Sequence, residues 1–241
     1  FINTDFGQEQ NLIKAEINKS FQGNVLTLGL HTCGALSIKH MERSVEQESL
    51  MLLNFGCCYN KLDITKDVNL SNIAQSLGIE FSCHALTLAT RGHNKMTLKD
   101  YHLKSKVKKF RYTLHLLFRE KFNLTKFISV GEAHTRVYNG DFSEYALDKL
   151  NTLKVEHQLS KTDIMDFFKD PRVENEVRKM FLCNIIRWQL GRVMELYILL
   201  DRVLWLKEQN YDAHLKEFFN SNISPRNIGI TASRKIISKE S

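Results

Sequence analysis

The chain has 241 residues, 43% hydrophobic and 25% charged, enough for one large domain or two smaller ones with a proper core, which excludes a disordered polymer. Five cysteines lie at unrelated spacings apart from the adjacent Cys57 and Cys58, and no secretory leader is legible, so a disulfide framework is not expected. The expected setting is a reducing, intracellular compartment, cytoplasmic or nuclear.

The net charge of +7 is concentrated, since the stretch from Lys95 to Arg111 holds seven Lys and Arg against one Asp. Local positive charge of this kind attracts phosphate, which makes nucleic acid the first partner to test and an acidic membrane surface the second. Lys104, Lys106, Lys108, Lys109 and Arg111 are the candidate contacts, and a solvated helix face is the plainer alternative.

In chain order, the sequence begins at Phe1 rather than Met, as a fragment or processed chain would. Phe1 to Asp5 reads as the tail of a strand and Gly7 to Ser20 as a weak polar helix or loop. Val25 to Leu30 and Leu50 to Phe55 are short apolar runs separated by a helix-like segment, Leu36 to Arg43, the pattern of parallel strands covered on both faces. Each run ends at a glycine beside titratable groups: His31, Cys33 and Gly34 after the first, Gly56, Cys57, Cys58 and Tyr59 after the second. In open sheets of this type, ligands lie beyond the carboxyl ends of the strands, so these residues are expected to line one crevice.

Asn69 to Leu77 has helical spacing closed by Gly78, and Ile79 to Thr90 reads as a strand or buried loop. Leu103, Val107, Phe110, Leu114, Leu117 and Phe118 share one helical face, with Lys104, Lys108 and Arg111 off it. Two further helices follow, Ser143 to Lys154 and Ser160 to Phe168, the second opening on a near capping box. After Pro171 a long helix is expected over Glu174 to Glu208, kinked or interrupted at Gly191. Its most apolar part, Met180 to Leu206, carries Arg187, Arg192, Glu195, Asp201 and Arg202, which argues against a membrane span. Ser224 to Asn227 forms a turn before a final strand, Ile228 to Ser233.

At GLHTCGALS, GCCYNKL, ELYILLDRVLWLKEQ and SPRNIGITASRK the chain resembles the methyltransferase-like protein 25 family, including its branch named for a ribosomal RNA adenine dimethylase domain. The resemblance implies an α/β, Rossmann-like class I methyltransferase fold that binds S-adenosylmethionine, here incomplete at its N-terminal end and carrying a large helical insertion. It assigns residues 1–62 to the third to fifth strands, 63–180 to the mostly helical insertion, and 181–241 to a long helix and the final strand or strands. Gly29, Gly34 and Gly56 would border the cofactor, and RNA or a ribosomal component would be the acceptor. Two departures stand out. No GxGxxG-type loop occurs anywhere in the chain, so the main cofactor half-site is expected upstream of Phe1. Ala35 stands where the family's HACGDL-like turn has an acidic residue.

Three chemistries compete at the strand ends. His31 can act as a general base near an acceptor, although no NPPY-like quartet accompanies it. A thiolate of Cys33, Cys57 or Cys58 can attack a pyrimidine ring, although no proline precedes Cys33. His31, Cys33, Cys57, Cys58, Cys83 and His84 can ligate zinc or an iron-sulfur cluster, but with no CxxC spacing no metal is assigned. Against all three stands ordinary packing of small buried thiols and a histidine bound to a backbone carbonyl. A non-catalytic, methyltransferase-like scaffold is the alternative from another class.

Overall fold

The computed structural model describes residues 11–21, 24–91, 97–126 and 128–235. The strand expected at Phe1 to Asp5 lies outside them. In order, the elements are α1 (Asn11–Ser20), β1 (Leu26–Cys33), α2 (Ala35–Glu46), β2 (Met51–Cys57), α3 (Asn72–Leu77), α4 (Cys83–Arg91), α5 (Leu98–Phe122), α6 (Phe142–Thr152), α7 (Lys161–Lys169), α8 (Pro171–Glu208), β3 (Tyr211–Glu217) and β4 (Ile228–Arg234). They fall into two compact units, one of residues 1–94 with 188–241 and one of Lys95–Arg187.

The first unit holds a four-stranded sheet in the order β1-β2-β4-β3. β1 and β2 are parallel, as their apolar runs and intervening helix require, while β4 runs antiparallel to both β2 and β3. Met41 of α2 and Leu199, Val203 and Leu206 of α8 pack on one face against Leu52, Ala213, Ile230 and Ala232. On the other face Leu26 and Leu28 stand more than half exposed, so among the described residues β1 is covered on one side only, not on both as expected. A second cluster joins Ile38 and Tyr59 to Leu86 and Ala89 of α4 and Ile198 of α8. Thus α3 and α4, which the sequence reading grouped with an insertion beginning at residue 63, lie within the sheet unit.

Three local readings are corrected. The stretch read as a strand or buried loop at Ile79 to Thr90 contains helix α4, because Leu86 and Ala89, three apart, bury one helical face and the Ser82 hydroxyl accepts the Ala85 amide at its start. α8 is continuous through Gly191 rather than interrupted there. β3 was not anticipated as a separate strand, although Tyr211 and Ala213 are buried and the alternate Asp212 and His214 exposed.

In the second unit, Phe110 of α5 is surrounded by the rings of Tyr138, Phe142, Tyr145 and Phe168. α5 starts on a capping box between Thr97 and Asp100, and α7 on one between Ser160 and Asp163, satisfying amides that have no helical partner. Among the described residues, no helix is long and apolar enough to cross a membrane.

Within the sheet unit, charge is buried deliberately. Glu195 of α8, 2% exposed, accepts Arg192 Nη1 at 2.6 Å, Arg226 Nη1 at 2.8 Å and the Tyr59 hydroxyl at 3.2 Å. Arg226 also donates to the Ala89 and Thr90 carbonyls at the end of α4. Six residues further along α8, Asp201 accepts the Leu70 and Ser71 amides and the Ser71 hydroxyl, each at 2.8 Å. Removing one member of a buried pair strands the others without solvent. Glu195→Ala is therefore expected to lower the unfolding free energy by about 3–5 kcal/mol in urea denaturation. Lys179→Ala, which breaks only the exposed pair with Glu176, should cost less than about 1 kcal/mol. Equal effects would contradict this reading of the network.

Candidate functional site

The parallel ladder of β1 and β2 runs in register from Leu26 and Met51 to Gly29 and Asn54, then resumes at Thr32 and Gly56. β1 thus spends one residue more than β2 over this interval, a bulge, and His31 sits in it with φ of 54°. Among the described residues it is the one non-glycine residue inside a strand with left-handed backbone. The sequence reading ended the strand at Leu30 and placed His31 in the following turn; pairing instead continues to Cys33.

Beyond the bulge, Cys33 and Cys57 are register partners, and their sulfurs lie 3.3 Å apart. His31 Nδ1 is 3.2 Å from Cys57 Sγ, and its Nε2 is 3.7 Å from Cys33 Sγ. Cys58 Sγ is 3.4 Å from Cys33 Sγ, with Cys58 itself in the left-handed region at φ of 51°. Burial and the adjoining thiols of Cys33 and Cys58 push the Cys57 thiol well above its ordinary pKa. His31, Cys33, Cys57 and Cys58 therefore form one cluster, as the sequence suggested, whereas Cys83 and Cys183 are exposed.

Underneath, β1 and α2 are joined by a polar network that the sequence reading missed. Asn54, fully buried, accepts Ser37 Oγ at 2.8 Å and Thr32 Oγ1 at 3.3 Å through Oδ1. Its amide nitrogen donates to the Ser37 carbonyl at 3.1 Å and to His40 Nδ1 at 2.8 Å. That pattern makes Nδ1 an acceptor and fixes the neutral tautomer of His40 with its proton on Nε2. Burial holds the His40 pKa down at about 4.

The three candidate glycines divide by role. A Cβ on Gly29 would stand 2.9 Å from His40 Nδ1 and from Thr32 Cγ2, so Gly29 lies beneath α2 and makes room for this network. Gly34, at φ of 55°, begins α2, donates to the Cys57 carbonyl at 2.9 Å, and passes within 2.8 Å of Lys61 Cβ by the same measure. Gly56 leaves space for Ser37 Oγ and for Arg202 Nη1, 3.1 and 3.2 Å from the missing Cβ. Arg202 is wholly buried, and among the described residues its Nε and Nη1 have no hydrogen-bond partner. Tyr59, also buried, lies between the Arg202 and Arg226 guanidinium groups, 5.7 and 5.4 Å from its ring centre. Tyr59 is thus a packing and hydrogen-bonding residue behind the cluster.

A pocket of about 190 Å³ opens beside the strand ends, lined by Leu30, His31, Phe55, Gly56, Cys57, Phe219 and Arg226. Phe219 was not anticipated, because the segment before the final strand offered no pattern to place it. In the other unit, the proposed nucleic-acid contacts are unevenly available. Lys104 and Lys106 are exposed, but Lys106 donates to Asn139 and Lys109 pairs with Glu174 at 2.8 Å, while Lys108 lies over the Tyr112 ring and Arg111 is half-buried. The Lys109 pair borders a groove of about 720 Å³ that also contains Tyr101, Arg178 and Phe181.

Residues 3–65 match the family described as a methyltransferase domain. The matched stretch includes β1, α2, β2 and all four members of the His31 and cysteine cluster, and it supports a methyltransferase. No solved structure matches the chain.

Two outcomes follow from the network beneath the site. His40 has its folded pKa depressed from 6.5, so its contribution is complete above about pH 6.5 and is lost as the pH falls toward 4, by up to roughly 3 kcal/mol. His40→Gln should flatten the stability profile across that window, and an unchanged slope would contradict it. Gly56→Ala should destabilise by about 1–3 kcal/mol in chemical denaturation, since a buried guanidinium cannot move aside freely.

Proposed function

We propose that this chain carries the acceptor-side half of a Rossmann-like, S-adenosylmethionine-dependent methyltransferase of the methyltransferase-like protein 25 type, acting on RNA or a ribosomal component. The observation that carries the reading is the sheet order β1-β2-β4-β3, with a lone antiparallel strand next to the edge, joined to a methyltransferase-domain match across β1 and β2. In the class I fold, β1 and β2 would take the fourth and fifth places, β4 the last, and β3 the sixth.

The described residues do not by themselves fit the whole methyl donor. The pocket at the strand ends, about 190 Å³, is smaller than the roughly 300–1,000 Å³ of small-molecule sites, and Gly29 serves packing rather than a ligand. What these residues offer is an acceptor wall: Phe55 and Phe219, with rings 6.4 Å apart and 24° from parallel, beside the Arg226 guanidinium. Aromatic faces and a guanidinium plane suit an unstacked base, which favours RNA over a small aliphatic acceptor. His31 is placed less well as an independent base, because both ring nitrogens face thiols.

Ala35, in the first turn of α2 where the resemblance has a carboxylate, favours the non-catalytic scaffold as the second reading. Calorimetric titration of S-adenosylhomocysteine into this chain, and into a version carrying whatever coding sequence precedes Phe1, separates the two. The proposal expects binding by the extended version and little by the chain alone. Failure of the extended version at millimolar ligand would favour the scaffold.

A further inference from the structure

The end of β1 and β2 gathers more soft donor atoms than the wall of an acceptor pocket requires. His31, Cys33 and Cys57 each offer a ligand atom, and these atoms all lie within 4.8 Å of one another. Tetrahedral zinc, with bonds of about 2.0–2.3 Å, keeps its ligand atoms roughly 3.3–3.8 Å apart. With Nδ1 as the ligand nitrogen, the 3.2 Å from Cys57 Sγ to His31 Nδ1 and the 3.3 Å between the two sulfurs fall at or just below that spacing; the 3.7 Å contact of Cys33 Sγ is with the other ring nitrogen, Nε2.

We propose that His31, Cys33 and Cys57 form a binding site for one zinc-type divalent ion, with the fourth coordination position turned toward the pocket lined by Phe55, Phe219 and Arg226. Two thiolates and an imidazole are the donors such an ion prefers, and three protein ligands with one open position mark a site that exchanges water or substrate. Cys58 Sγ, 3.4 Å from Cys33 Sγ, is placed to hydrogen-bond the Cys33 thiolate as a supporting residue. Arg226 lines the same pocket, its guanidinium held there by Glu195.

Two features independent of the distances point the same way. His31 is held in a left-handed conformation inside a strand bulge, and Cys58 has left-handed backbone at the neighbouring strand end. Backbone of this kind persists where the surroundings over-determine it, which is common at ligand clamps. The site also escapes motif scanning for a physical reason. Cys33 and Cys57 are neighbours across a parallel ladder, so their separation in sequence is set by the crossover through α2 rather than by a metal-binding turn.

The inference does not depend on methyl transfer. The reduced, purified chain is titrated with Co²⁺ and followed by thiolate-to-metal absorption, Zn²⁺ is then used to displace it, and bound metal is quantified. One ion per chain is expected, with release of thiol protons detected calorimetrically in buffers of different ionisation enthalpy. Cys33→Ser or Cys57→Ser should weaken binding by about a thousandfold or more, Cys58→Ser by roughly tenfold, and Cys83→Ser with Cys183→Ser not at all. Circular dichroism checks that each variant is folded. The wild-type titration decides the matter even where a variant is not: no thiolate band and no zinc uptake by the reduced chain would overturn the proposal. Undiminished binding in a folded Cys33→Ser, Cys57→Ser double variant would do the same. Neither result bears on S-adenosylhomocysteine binding, so the two readings fail separately.

Discussion

The Glu195 carboxylate, almost wholly removed from water, is where three distant stretches of the chain meet: α8, the turn after β2 through Tyr59, and the turn before β4 through Arg226. A buried carboxylate is tolerable only when its lone pairs are filled by charged or polar donors, and here two guanidinium groups and a phenol fill them. The same Arg226 reaches the last carbonyls of α4, so the helix end and the sheet end are fixed by one side chain. The conspicuous residues of LLDR and SPRN therefore act first as fasteners. Asp201 holds the start of α3, Arg202 fills the space left open by Gly56, and Arg226 closes the ring around Tyr59.

What this frame delivers is a pair of strand ends whose side chains have little freedom. Asn54, in the middle of an otherwise apolar strand, uses its amide to lock Ser37, Thr32 and His40 together beneath α2. Above that network β1 bulges at His31, and the chain reverses at Gly34 and at Cys58. Rigid support below and unusual backbone above is the arrangement that holds reactive groups in fixed relation. It explains why three thiols and an imidazole from different segments come within 3.7 Å of a neighbour.

The parallel pair β1 and β2, the basic helix α5 and the capped helix α7 were all legible in the sequence, because apolar runs and three-and-four spacing are local signals. β3 was not legible, although Tyr211, Ala213 and Leu215 alternate with polar residues, because a seven-residue segment with four polar or charged side chains carries a weak strand signal until β4 pairs with it. α4 was misread because its Thr-rich and Ala-rich composition says little until Leu86 and Ala89 find a core to pack on. Position at the strand ends led to the expectation that His31, Cys33, Cys57, Cys58 and Tyr59 line one crevice, and the structure places the first four within contact of one another. Two things were out of reach. The roles of Asn54 and His40 depend on α2 crossing over β1 and β2, and the packing role of Gly29 depends on the His40 ring above it.

A methyltransferase-domain stretch, a pocket lined by two phenylalanine rings and an arginine, and a thiol–imidazole cluster whose His31 and Cys57 share that lining thus occupy one edge of one sheet. The central claim is that this edge is a chemical site with a defined donor set. X-ray absorption at the zinc edge of the zinc-loaded chain tests it most directly. The account predicts a shell with two sulfurs at about 2.3 Å and one imidazole nitrogen at about 2.0–2.1 Å. A shell of nitrogen and oxygen alone would contradict it, and would return Cys33 and Cys57 to the role of small buried packing residues.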